Sequence, residues 1–246
     1  MKPLLALALL FLSAAFAFSE EYTGDWLTFY YKSPTPDSVP KQLRAMNDGG
    51  LLKKEEAQPP IIAFLSRVMA ANPSRISGWI SEFAKDEEPR RLLLAAAWYS
   101  DTDEAREFFK KENLAVYLQK KAPDLLAVEA NNPSILDMLW GYFMATGETA
   151  PIRRIVSALS LSKYSGALER YNADKSQKNQ QEAYLDVTFQ AAMWSLESNC
   201  KGHPLVLQHC EDIFADKTLP ADQHLWLQVV LFKLKPEKYP RPSVKP

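Results

Sequence analysis

The sequence predicts an all-α protein of about ten short helices, and three observations predict it. Prolines punctuate the chain at helical intervals: Pro59/Pro60, Pro73 and Pro89 stand 14–16 residues apart, and Pro204, Pro220 and Pro236 stand 16 apart. Proline is accepted in the first turn of a helix and not in its interior, so this spacing fits helices of three to four turns joined by short loops. Apolar residues recur on single helical faces: Ile61, Phe64, Leu65, Val68, Met69; then Ile76, Trp79, Ile80, Phe83; then Ile152, Ile155, Val156, Leu159; then Leu185, Phe189, Ala192, Met193, Leu196. Cap signals mark the boundaries. Asp101 stands three residues before Glu104, Ser74 and Ser134 each follow Asn-Pro, and Gly49 and Gly147 stand where helices would end.

Taken in order, residues 1–17 read as a secretory signal peptide. Lys2 is the positive charge, residues 3–12 are the apolar core, and Ala15-Phe16-Ala17 offers the small residues a signal peptidase reads. The apolar run is shorter than the ~20 residues a bilayer-spanning helix needs. The only cysteines are Cys200 and Cys210, so none stands at the cleavage point to carry a lipid. The working protein is expected to begin near Phe18, exported to the periplasm or secreted, with no integral membrane span. Acidic and basic residues nearly balance, 30 against 29, for a net charge of −1 that becomes −2 when Lys2 leaves with the leader. That balance gives no electrostatic footprint for nucleic acid.

The segment Asp25-Trp26-Leu27-Thr28-Phe29-Tyr30-Tyr31 has strand-like composition and no partner strand in sight, so an extended aromatic arm is expected. From 18 to 235 a single helical domain follows, its helices packed as antiparallel hairpins. A weak echo between 69–76 and 144–152 suggests a degenerate repeat-like array without a fixed period. The stretch 172–182 lacks any large apolar residue and is the best candidate for a joint between sub-domains. Residues 225–232 are apolar all round, and the flanking helix signals favour a buried helix over a buried strand. The Pro- and Lys-rich end, 236–246, is expected to fray.

Three sets of residues could carry chemistry. Cys200 and Cys210 flank an interhelical turn, and an oxidising compartment favours their pairing. The closed loop of about 11 residues would add roughly 2.8 kcal/mol. The alternative is a metal site at Cys200, His203, His209 and Cys210, against which the adjacent His209 and Cys210 diverge by about 100° on a helix. Glu197-Ser198, at the end of a helix, resembles the catalytic Glu-Ser pair of exported lytic transglycosylases, which would use the glutamate as a general acid on a glycosidic bond. The Gly-Leu-Met-Gln-type segment of those enzymes is missing. Ser-x-x-Lys occurs at Ser160 and Ser38 without the motifs that accompany a serine nucleophile. No phosphate loop, dinucleotide fingerprint or zinc-protease helix is present, so no cofactor is expected. Trp26, Phe29, Tyr30 and Tyr31 are the candidate recognition surface for a peptide or glycan, with Trp98/Tyr99 and Trp140/Tyr142/Phe143 as further aromatics. The alternative use of the arm is as a staple that buries its rings.

The segments 25–34, 139–147 and 194–206 resemble a family of small exported helical proteins of Gram-negative bacteria that has no established activity. The resemblance implies export and an all-helical fold, and transfers no catalytic residue. The leading expectation is a non-enzymatic module that binds or scaffolds a protein or peptide in the cell envelope. A cell-wall hydrolase using Glu197 and a metal-binding protein at the two cysteines are the alternatives.

Overall fold

The computed structural model describes residues 24–242 and is all-α: twelve α-helices joined by 3-10 turns, with no strand among the described residues. The expected leader and the last four residues lie outside the described residues. The proline series falls as helix punctuation should. Pro59 and Pro60 open α3 (Gln58–Ala71), Pro89 lies in the first turn of α5 (Glu87–Ser100), Pro204 begins α11 (Pro204–Ala215), and Pro220 precedes α12 (Ala221–Leu234). Pro236 follows α12, where a helix that has ended no longer needs its N–H. Among the described residues no helix is long and apolar enough to cross a membrane.

The chain divides into two compact units, 24–128 with 137–147, and 129–136 with 148–242. The division does not fall at 172–182. In that stretch α9 (Ala167–Ala173) and α10 (Gln177–Gly202) are separated by three residues and lie in one unit. The polar residues there are the solvated first turns of α10, which is longer than the apolar stripe alone suggests. Ser176 caps it by accepting from the Asn179 N–H.

In the first unit α3 packs along α5, with α2 (Val39–Asp48), α4 (Ile76–Glu82) and α6 (Asp103–Lys111) around α5 and α4. Ile61, Phe64, Leu65, Val68 and Met69 are at most 3 % exposed, so the stripe read from the sequence is the buried face. The expected extended arm is instead a short helix, α1 (Gly24–Thr28), and a 3-10 turn, Tyr30–Lys32. Trp26 and Tyr30 are four residues apart, one helical turn, and this places both rings on Phe64, with centroids at 5.3 and 5.1 Å. Burying the rings decides the conformation over strand propensity.

The second unit is built around α10, which packs against α9, α11, α12 and the 3-10 stretch Ala158–Tyr164, with α8 (Thr149–Ser157) beside them. Residues 225–232 are helical, within α12. The segment after α12 is docked and not frayed as far as it is described. Tyr239 is buried against Phe214 at 5.4 Å, Gln228 donates to the Pro240 carbonyl at 2.9 Å, and Lys235 and Lys238 both reach Glu211. Two expected caps move by one or two residues. Thr102, not Asp101, caps α6 by accepting from the Ala105 N–H at 3.2 Å. Asn132, not Ser134, serves α7 (Pro133–Thr146) by accepting from the Ile135 N–H at 3.0 Å. A side chain ahead of the helix reaches back to the free N–H groups, whereas one already inside it points away from them.

Candidate functional site

The residues that build an open site in the first unit follow from how α5 ends. Asp101 takes a left-handed conformation, φ 54°, which an aspartate tolerates better than most residues and which stops the helix. Thr102 then starts α6, so the two helices meet in a tight corner. Beyond α6 the chain runs without α-helix over 112–132 and is tied back to that corner. The Leu114 N–H donates to the Phe109 carbonyl at 2.8 Å, the Tyr117 ring stacks on Phe109 at 4.8 Å, and the Trp98 indole donates to the Lys120 carbonyl at 2.9 Å. Between corner and returning chain lies a cleft of about 360 Å³ open to solvent, walled by Trp98, Phe109, Tyr117 and Leu118.

Its polar rim is ordered by Asp101. The carboxylate accepts from Arg106 at 2.6 Å and Lys121 at 3.0 Å, and Arg106 also reaches Asp103 at 2.8 Å. Burial opposes ionisation of Asp101, but the hydrogen bonds from Lys121 and Arg106 outweigh it and hold the carboxyl below its usual range. Lys120 makes no ion pair among the described residues. Val116 is 68 % exposed and Leu118 39 %, and Tyr184, in the other unit, is the remaining large hydrophobic that is exposed among the described residues. The sequence pointed to Trp98. It did not mark Val116, Tyr117 and Leu118, although apolar residues without helical periodicity between two lysine pairs were the available signal.

The residues expected from sequence fall as follows. Tyr30 is 4 % exposed and Trp26, Phe29 and Tyr31 are half-buried, so the arm spends its rings inside the unit as a staple. Tyr31 packs on Phe143 at 5.1 Å. These rings do not form an open groove. Glu197 bridges α10 and α12, accepting from Lys201 at 2.7 Å and Lys233 at 3.0 Å. The Lys201 hydrogen bond first, and Lys233 with it, overcome the effect of burial and hold its carboxyl below the usual range. A general acid needs the opposite shift, so the arrangement is that of an interhelical clamp. Glu197→Gln is expected to change stability by less than about 1 kcal/mol, as for other partly exposed ion pairs; a larger loss in a denaturant titration would contradict that role.

Cys200 and Cys210 are both buried, and their Sγ atoms lie 3.6 Å apart as thiols. Contact with Cys200 and then burial push the Cys210 thiol well up, which favours the neutral thiol over a nucleophilic thiolate. His209 turns its Nδ1 to the Thr149 hydroxyl at 2.9 Å. Among the described residues no group of three or more His, Cys, Asp or Glu side chains is arranged to hold a metal, so Cys200, His203, His209 and Cys210 do not converge on one ion. A small side-chain rotation would bring the sulfurs to the bond length of about 2.05 Å. Protein recovered from an oxidising compartment is expected to be two hydrogens lighter than after reduction; two alkylatable thiols in the unreduced protein would overturn this. His224 packs face to face on Phe214 at 4.1 Å and serves as a packing residue.

Compared with family models, with curated proteins and with solved structures, the chain matches none.

Proposed function

We propose that the protein is an exported, non-enzymatic helical module that holds a protein or peptide segment in the cell envelope, in keeping with the exported helical family it resembles. One observation supports this most. Leu118 lines an aromatic-walled cleft and stays exposed, and Val116, two residues before it on the same pinned segment, also shows its apolar side chain to water. The clamped Glu197 gives the hydrolase alternative no support. The test is site-specific photo-crosslinking in intact cells. A cross-linker at position 118 is expected to capture a discrete partner that one on the exposed face at position 41 does not. Equal patterns from both positions, or none from either, would overturn the proposal.

A further inference from the structure

We infer that the cleft between Trp98 and Lys121 recognises an acidic peptide segment, one that carries a carboxylate next to a bulky apolar side chain. This rests on the peptide-binding reading above and adds the chemistry of what is bound. The lining residues hold three cations, Arg106, Lys120 and Lys121, against one carboxylate, Asp101, with Asp103 beside Arg106 at the edge. Asp101 draws Arg106 and Lys121 together, so two of the cations are fixed before any ligand arrives. Arg106 has five N–H donors, more than these contacts use. Lys120 has no ion pair among the described residues, while the Trp98 indole anchors its backbone. A carboxylate placed over Lys120 would meet an unpaired ammonium with an oriented pair behind it.

The walls supply the other half of the recognition. The Tyr117 ring, stacked on a Phe109 that is 1 % exposed, forms a rigid face, and Trp98 and Leu118 stand beside it. Aromatic rings held by packing offer contact area at little entropic cost. A volume of about 360 Å³ is at the small end of ligand clefts and is open on one side, which suits a short stretch of extended peptide. An acyl chain needs a deeper and more enclosed apolar channel than this one.

The test is fluorescence anisotropy with three labelled hexapeptides that share leucine and phenylalanine and differ at two positions: aspartate, asparagine or lysine. The aspartate peptide is expected to bind at least about tenfold more tightly than the asparagine one, with the lysine peptide weakest. Raising salt from about 50 to about 500 mM should weaken the aspartate peptide several-fold and leave the asparagine peptide unchanged. Lys120→Gln should reduce aspartate-peptide binding about threefold to tenfold without altering the circular dichroism spectrum, and Leu118→Ser should weaken all three peptides. If the asparagine peptide binds as tightly as the aspartate one, or Lys120→Gln changes nothing, the acidic preference is overturned while the peptide-binding reading stands. If no peptide binds and position 118 cross-links nothing, both fall. Binding to vesicles containing phosphatidylglycerol, with no peptide binding, would replace the peptide by a membrane surface and overturn the inference.

Discussion

Gly141→Ala is expected to be the most damaging single-methyl change in the first unit. A Cβ on Gly141 would stand 2.0 Å from the Pro60 carbonyl oxygen, 2.8 Å from its carbonyl carbon and 2.9 Å from its Cα. All three are backbone atoms in the first turn of α3, where no side-chain rotation can relieve the contact. The two helices must move apart, and that disturbs the layer containing Phe64 and Phe143, both fully buried. Overpacking of this kind costs about 3 kcal/mol or more, equivalent to a fall in Tm of roughly 10 °C for a unit of this size. Gly78→Ala is the control. It sits inside α4 with no atom within 4 Å of the added Cβ, so it should gain about 0.5–1 kcal/mol from the lower entropy of the unfolded chain. Equal effects of the two substitutions, measured by thermal unfolding, would show that the close approach at Pro60 is not maintained in solution.

Asp137→Asn is expected to stabilise the protein in a pH-dependent way. Asp137 lies half-buried on α7 with no hydrogen bond or ion pair from its carboxyl among the described residues, and burial pushes its pKa from 3.8 up to about 7. The folded protein therefore holds this proton more tightly than the unfolded chain does. Stability is fully present below about pH 3.8 and is lost as pH rises towards 7, after which the loss is constant. At about 1.36 kcal/mol per pKa unit the full loss would be roughly 4 kcal/mol, and partial exposure and the unsatisfied amide of asparagine reduce the expected gain to about 2 kcal/mol at pH 8. The gain should shrink towards zero near pH 4. Urea titrations of both proteins from pH 4 to 8 test this; a difference that does not vary with pH would mean that Asp137 is ionised and solvated in the folded protein.

Helix was legible in the sequence wherever one face was apolar and a proline or cap marked its start. The stripes on α3, α4 and α8 are buried as read, because burying an amphipathic face is local arithmetic of residue spacing. α12 was harder. Its all-round apolar run contains no period, and only its position against α10, α11 and Ala158–Tyr164 explains it. The arm went the other way. Strand-forming residues predicted extension, and a single ring, Phe64, distant in sequence, drew Trp26 and Tyr30 into a helical turn. Likewise the 172–182 stretch read as a break because solvated first turns and linkers share a composition.

The candidate site divides along the same line. Trp98 was visible as an aromatic, and the closeness of Cys200 to Cys210 was visible as spacing. The cleft itself was not, since it depends on a left-handed Asp101 and on a non-helical segment returning to a corner it left some twenty residues earlier. By itself the sequence determined that this protein is all-α, where most of its helices begin and which faces they bury, because those follow from side-chain periodicity and backbone chemistry within a few turns. Only the tertiary structure decided that the aromatic arm is a staple, that Glu197 is a clamp held ionised by two lysines, and that Leu118 and Lys120 line one cleft. Each of these depends on which distant side chain arrives within contact, and neighbouring residues carry no record of that.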